Sequence, residues 1–517
     1  MQHMQHMISK QAVVIGSGPA GLAAAIALKT AGIDDLVVLE REKRPGGILS
    51  QCIHDGFGLI RYRQPLTGPE YAKLDLDNAA RLGIPILLSH TVTRLTPDRQ
   101  VYVTSPTGMK HFQAGTVILA MGCRERPRGA ISIPGTRPAG ILTAGAAQYL
   151  VNMCNLMIGK QIVILGSGDI GLIMARRLTL EGARVLAVVE KLPRPGGLPR
   201  NVRQCVEDFQ IPFLLKHTIT KVEGTRRVEA VTVSRLDADG TPVEGTARRI
   251  PCDTIILSVG LIPENELSLQ AGLPLDSATG GPVTGPDCQT RLPGIFACGN
   301  VRKVHDLVDD VTEEAKIAGR AAAAFLRETA GGQPGMASAA AAAVADAAAA
   351  GAAAVEAGAP RKITFSSRDQ KPLKWEIPGI KTREPLPANL TCIICPIGCS
   401  LTVRPLESGQ TEISGARCVR GRNYAVDELT QPMRILTTTL PVQGGTAPLV
   451  SVRTTRAIPR ESLEHAMQEI RVVCVKAPVA AGEVIIKDLL GLGADVTATA
   501  EVPAAPCEGS CSIRQLF

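Results

Sequence analysis

The chain has 517 residues, 45% hydrophobic, 20% charged and 3% aromatic, with a net charge of +8. That length suggests about three domains; the scarcity of aromatic residues argues against a base-stacking surface for single-stranded nucleic acid. The positive charge is spread without a long basic run, so it suits phosphate-bearing small molecules and does not imply nucleic-acid binding.

The start, MQHMQHMISK, is polar and too short for a secretory leader, and no window is long and apolar enough to span a bilayer. A cytoplasmic, reducing compartment is expected, with the cysteines as thiols or metal ligands. Isolated cysteines such as Cys154, Cys205 and Cys474 read as small hydrophobes.

Gln11 to Glu40, QAVVIGSGPAGLAAAIALKTAGIDDLVVLE, organises the rest. Ala12 to Ile15 reads as a buried parallel strand, Leu22 to Thr30 as a helix, and Leu36 to Leu39 as a second strand ending on Glu40. Between strand and helix, Gly16, Gly18 and Gly21 follow G-x-G-x-x-G. Gly16 permits the tight turn, Gly18 lets a pyrophosphate approach, and Gly21 lets the helix pack close. The helix N-terminus offers free N–H groups to the phosphates, and Glu40 is placed to accept ribose hydroxyls.

Arg44-Pro45-Gly46-Gly47 follows, then Cys52 and His54. The paired glycines imply close backbone approach to a ligand. Cys52 and His54 are candidate redox groups facing a cofactor ring, set against packed-cysteine and hydrogen-bonded-histidine readings. Thr67 to Arg81 reads as a helix, His90 to Val103 and Gln113 to Gly122 as strands, and Glu125 to Pro138 as a crossover between domains.

The opening unit then recurs. Gln161 to Glu190, QIVILGSGDIGLIMARRLTLEGARVLAVVE, places Gly166, Gly168, Gly171 and Glu190 each 150 positions after its counterpart. Arg194-Pro195-Gly196-Gly197 repeats the tail, and TIILSVG (Thr254 to Gly260) repeats TVILAMG (Thr116 to Gly122). Two dinucleotide-binding units are expected. Val228 to Ile250 reads as antiparallel strands turning at Asp239-Gly240. Leu292 to Asn300, LPGIFACGN, reads as a strand with a turn, and His305 to Leu326 as a helix with acidic first turns.

From Gly331 the composition shifts to an alanine run, Ala337 to Ala359, without an apolar stripe, read as a linker. The last domain carries Cys392, Cys395, Cys399 and Cys418 at C-x2-C-x3-C-x18-C. Three thiolates in eight residues with a distant fourth suit a [4Fe–4S] cluster, flanked here by Arg417, Arg420 and Arg422. Zinc, a disulfide and free thiols remain open. Short strands and one helix, Arg460 to Ile470, follow. Cys507 and Cys511 lie in a tail read as disordered, with a second metal site left open.

With these residues in hand, the first 330 or so positions resemble the pyridine nucleotide–disulfide oxidoreductases. The resemblance implies an α/β fold with two Rossmann-like dinucleotide-binding domains (FAD and NAD(P)) and a small α+β cysteine-rich C-terminal domain. Residues 8–125 with 261–330 would bind FAD, 126–260 would bind NAD(P), 331–388 would be linker, 389–502 the cysteine domain and 503–517 the tail. The implied FAD contacts are Gly16, Gly18, Pro19, Ala20, Gly21, Glu40, Gly47, Gly122, Gly299 and Asn300. The implied NAD contacts are Gly166, Gly168, Asp169, Ile170, Gly171, Glu190 and Gly260. The family's late motif usually ends Gly-Asp, with the Asp on the ribityl chain; here it ends Gly299-Asn300.

Neither C-x2-C nor C-x4-C occurs before residue 392, which argues against a thioredoxin or dihydrolipoamide reductase. TGPEYA, LGSGDIGLIMARR and SVGLIPENEL look like the subgroup found with FAD-dependent glycerol-3-phosphate dehydrogenase, and CIICPIGC with CVRGRNYA looks like its small cysteine domain. The cysteine spacing is also similar to the iron–sulfur segment of molybdopterin oxidoreductases. The resemblance implies an oligomeric oxidoreductase passing electrons between NAD(H), FAD and a [4Fe–4S] cluster to a partner flavoprotein dehydrogenase or electron carrier. Two rival readings are a stand-alone NAD(P)H reductase of a quinone or sulfur acceptor with a structural zinc domain, and a non-catalytic assembly component.

Overall fold

The computed structural model describes residues 7–331, 371–383 and 385–505. The alanine run, Cys507 and Cys511 lie outside the described residues.

The first unit is built on a sheet in the order Ile86–Leu87, Leu36–Leu39, Met7–Ile15, Gly108–Leu119, Gln100–Ser105, Thr91–Leu95, with Ile295–Ala297 also paired to Gly108–Leu119. Pairing is parallel through the apolar runs and antiparallel in the last two ladders. Ala12, Val13, Val14 and Leu36 to Leu39 are buried on both faces, as central parallel strands require. The Pro19–Thr30 and Val308–Gly331 helices cover one face, where small residues (Ala24, Ala315, Ala318, Ala322) allow close approach. The stretch read as one strand from His90 to Val103 is two, because Pro97-Asp98 turns the chain and Arg99 adopts a left-handed φ of 67°.

The second unit repeats the plan. Its parallel sheet runs Ile141–Thr143, Thr254–Leu257, Gln161–Leu165, Arg184–Glu190, Phe213–Leu215. Antiparallel strands His217–Glu223, Ala230–Arg235 and Arg248–Pro251 cover it. The two crossings between the units pair with each other: Cys123–Glu125 lies antiparallel to Leu261–Pro263.

The region expected as one cysteine domain holds two cores. One sheet runs Lys374–Ile377, Thr411–Ser414, Ser400–Pro405, Ala388–Thr391, and packs on the Val419–Thr430 helix through Leu401, Val403, Ile413 and Leu429. Lys374–Ile377 belongs to the segment read as linker; its Trp375 and Ile377 pack against this core. The other sheet runs Val475–Lys476, Thr437–Gln443, Leu449–Thr454, Val496–Ala498, Val484–Ile486. Its core includes Leu440, Val452 and Met467, and Leu180 of the second unit joins it. The helix expected from Arg460 starts as a 3-10 turn and becomes α-helical at Leu463–Arg471.

Buried ion pairs fasten this region to the second unit. Arg434 binds Asp208 at 2.5 Å and Glu428 at 2.7 Å, and Arg203 reaches Glu428 at 2.9 Å. Arg453 bonds Pro65 O and Glu70 of the first unit. No helix of the described residues is long and apolar enough to cross a membrane.

Candidate dinucleotide and cysteine sites

Both glycine turns lie at the carboxyl ends of parallel strands, where open α/β sheets bind ligands. Gly16 takes φ +104°, and a Cβ there would stand 2.5 Å from Ala120 O. A Cβ on Gly21 would stand 1.8 Å from Gly16 O, so the helix packs as closely as its sequence implies. Gly18 caps the Pro19–Thr30 helix without a side-chain bond, leaving the N–H groups of Ala20 and Gly21 in the first turn without a side-chain acceptor at the cap.

The glycine pair at 46–47 folds back onto this turn: a Cβ on Gly47 would come 2.8 Å from Gly18 Cα. Gly299 arrives from the other side, its would-be Cβ 2.7 Å from Ala20 Cβ and its N–H donating to Glu314 Oε1 at 2.8 Å. Asn300 Oδ1 accepts from His305 N at 3.0 Å, and its Nδ2 lies 3.6 Å from Cys123 Sγ. Gly122 and Gly260 have φ of +76° and +111°, and nothing lies within 4 Å of a Cβ built on either.

Glu40 and Glu190 do more than the sequence suggests. Glu40 Oε2 accepts from Ser17 N at 2.8 Å and Ser17 Oγ at 2.6 Å, and Oε1 accepts from Glu42 N at 2.9 Å. Glu190 repeats this set with Ser167 at 2.9 and 2.6 Å and Leu192 N at 2.9 Å. Each carboxylate therefore braces its glycine turn. Sequence reasoning missed Ser17 and Ser167; their signal was identity at matched positions of the repeat. Asp169, expected beside NAD, also ties down the following loop: its Oδ1 accepts from Leu198 N at 2.7 Å and Asn201 Nδ2 at 2.8 Å. Ile170 follows it in the first turn of the Asp169–Leu180 helix, whose cap Gly168 also lacks a side-chain bond.

Cys52 and His54 sit where the two units meet. Cys52 Sγ lies 3.7 Å from Gln148 Oε1, and burial pushes its thiol up to about 12. His54 packs on Phe57, and burial holds it down to about 4, so it is neutral at pH 7. Neither group is charged at neutral pH.

Cys392, Cys395, Cys399 and Cys418 come together. The Cys392 N–H donates to Cys399 O at 2.9 Å, and a Cβ on Gly421 would lie 3.8 Å from Cys392 Sγ. Burial raises the Cys392 thiol to about 12, with the other three adding to the rise. Cys418 stands at the N-cap of the Val419–Thr430 helix. Among the described residues no group of three or more His, Cys, Asp or Glu is placed, as it stands, to hold a metal ion. Of the four thiols, Cys418 stands at a helix N-terminus and the other three lie in the Cys392–Cys399 loop. Gly398, in this loop, packs on the second unit: a Cβ there would lie 3.1 Å from Pro199 Cβ.

The family model described as pyridine nucleotide-disulphide oxidoreductase matches residues 10–342. The chain belongs to this family. A second model, described as a protein of unknown function, matches 419–500, beginning one residue after Cys418. An opine oxidase subunit of Agrobacterium tumefaciens is 28% identical over 56% of this chain and 60% of its own length. The thioredoxin reductase of Listeria monocytogenes is 26% identical over 61% of this chain and 93% of its own. The hydrogen cyanide synthase subunit HcnB of Pseudomonas protegens is 26% identical over 52% and 60%. The match thus spans about three fifths of the opine oxidase and HcnB chains. Among solved structures, T. acidophilum thioredoxin reductase shares the fold at TM-score 0.50 and 22% identity, covering 62% of this chain and 99% of its own. Membership of the pyridine nucleotide-disulphide oxidoreductase family supports the binding of FAD and NAD(P)H.

Proposed function

We propose that the chain is the FAD- and NAD(H)-binding component of an electron-transfer oxidoreductase, in which Cys392, Cys395, Cys399 and Cys418 hold a [4Fe–4S] cluster. The observation that carries this reading is the seat of the cysteine loop against Pro199. Pro199 opens a short helix whose Arg200 approaches Gly56 and Asp55, beside Cys52 and His54. The loop thus stands at the end of a continuous protein path from the first unit.

Gly16, Gly18, Gly21, Gly47 and Gly299 would hold the FAD, and Asn300 would bond it without charge. FAD held there would supply both two-electron and one-electron chemistry, as a link between a nicotinamide and a cluster would require. Gly166, Gly168 and Glu190 would hold the nicotinamide nucleotide, and Glu190 favours NADH over NADPH by meeting a 2′-phosphate with like charge. Arg417, Arg420 and Arg422 would favour the more negative, reduced cluster. Cys52 and His54, half-buried and uncharged, would line the cofactor side as packing groups. Two relatives, the opine oxidase chain and HcnB, are named as subunits of their enzymes, which supports a partner chain here. A second flavoprotein that oxidises a small substrate such as glycerol 3-phosphate fits that place.

Cys418→Ser tests the assignment. The variant is expected to lose or destabilise the cluster while NADH still bleaches the flavin, and delivery to a one-electron acceptor should fall at least tenfold. Unchanged delivery in a protein shown to lack the cluster would remove the proposal.

A further inference from the structure

Where the two dinucleotide units and the C-terminal region meet, a cavity is lined by His54, Gln148, Arg176, Arg177, Cys205 and Thr437, among others. Arg176 is only 7% exposed. Its Nη2 donates to Ile435 O at 2.7 Å, and its Nε has no partner. Neighbouring charges are paired elsewhere: Arg177 lies against Glu181, and Asp55, also on the cavity wall, lies 3.8 Å from Arg200. No carboxylate of the described residues lies within ion-pairing distance of Arg176. His54 supplies a second orphan, its buried Nδ1.

A guanidinium does not shed its proton at any ordinary pH. A buried, unpaired charge is costly unless a counter-charge meets it. The nearest carboxylates are engaged, Glu181 by Arg177 and Asp55 by Arg200, and the cavity wall sets Arg176, Arg177 and His54 among apolar side chains such as Ile53, Ile173 and Leu180. We propose that this cavity binds a small monovalent anion, of halide or formate size, as the counter-ion of Arg176. The anion would join the three parts of the chain, since His54, Arg176 and Thr437 come one from each. It does not rest on the reading of the cysteine loop, and it shares only His54 with the residues placed beside the flavin.

The test uses the full chain with its bound cofactors. Crystals soaked in bromide should show an anomalous peak beside Arg176 and His54. In solution, bromide or formate, at an ionic strength held constant with bulky gluconate, should raise Tm saturably in the wild type, as ligand linkage requires. Arg176→Met should abolish the dependence and Arg176→Lys should keep part of it. A cavity without bromide in the soaked crystal, or equal dependence in wild type and Arg176→Met, would overturn the proposal. Because the diffraction arm uses wild-type protein, it stands even if the Met variant does not fold. A response to bromide but none to formate keeps the site and limits its ligand to halides.

Discussion

Gly18 separates the ligand's requirement from the protein's own. Its φ of −69° is ordinary, and the nearest atom to a Cβ there is Gly47 Cα at 4.0 Å. Valine at this position is therefore tolerated by the fold but fills the space over the helix N-terminus. Gly18→Val should leave the chain folded by circular dichroism and weaken FAD binding at least tenfold, about 1.4 kcal/mol; full flavin occupancy in the purified variant would contradict it. Glu190 leads to the expectation that stopped-flow reduction of the flavin is faster with NADH than with NADPH, and the reverse order would count against its role. His54 gives a pH dependence. Its pKa is held down to about 4 against an ordinary 6.5, so below pH 6.5 the unfolded chain takes up a proton that the folded chain refuses until about pH 4. Acidification through that window should cost up to about 3 kcal/mol, and His54→Gln should flatten this part of the urea-unfolding profile. The glycine turns were legible in the sequence because their backbone geometry and spacing admit few alternatives. The bonds from Ser17 to Glu40 and from Leu198 N to Asp169 were not, since the direction of a side chain is set by packing that no local pattern encodes.

The Val419–Thr430 helix carries both the cysteine site and its anchor: Cys418 caps it, and Glu428 lies more than two turns on. Burial alone would raise the Glu428 carboxyl, but bonds from Arg434 and Arg203 hold it below the usual carboxylate range. Arg434, Asp208 and Glu428 are nearly inaccessible, with side chains 2%, 1% and 2% exposed. Removing one partner of such a set strands the others. Arg434→Met should destabilise by roughly 3–5 kcal/mol in urea unfolding; a loss below about 1 kcal/mol would show that the network is not what fastens this region. The parallel strands were readable as apolar runs of four, because burial on both faces leaves little else. Lys374–Ile377 was not, because a four-residue edge strand with exposed lysine and glutamate positions looks like linker until its partner Thr411–Ser414 is known.

The whole chain joins two copies of one dinucleotide-binding plan through the Cys123–Glu125 and Leu261–Pro263 ribbon, then seats a cysteine loop on the second copy. The duplication was visible in the sequence from its constant offset. The seat was not, since Pro199 and Gly398 are distant in the chain and neither advertises the contact. In this arrangement electrons from NADH would pass the first unit and leave by the cysteine loop. The most direct test is electron paramagnetic resonance of the full chain, purified without oxygen, before and after NADH. Iron and sulfide should be present with FAD, and NADH should bring up the signal of a reduced cluster that Cys418→Ser lacks. Zinc in place of iron, or a cluster that stays oxidised while the flavin is reduced, would contradict the account.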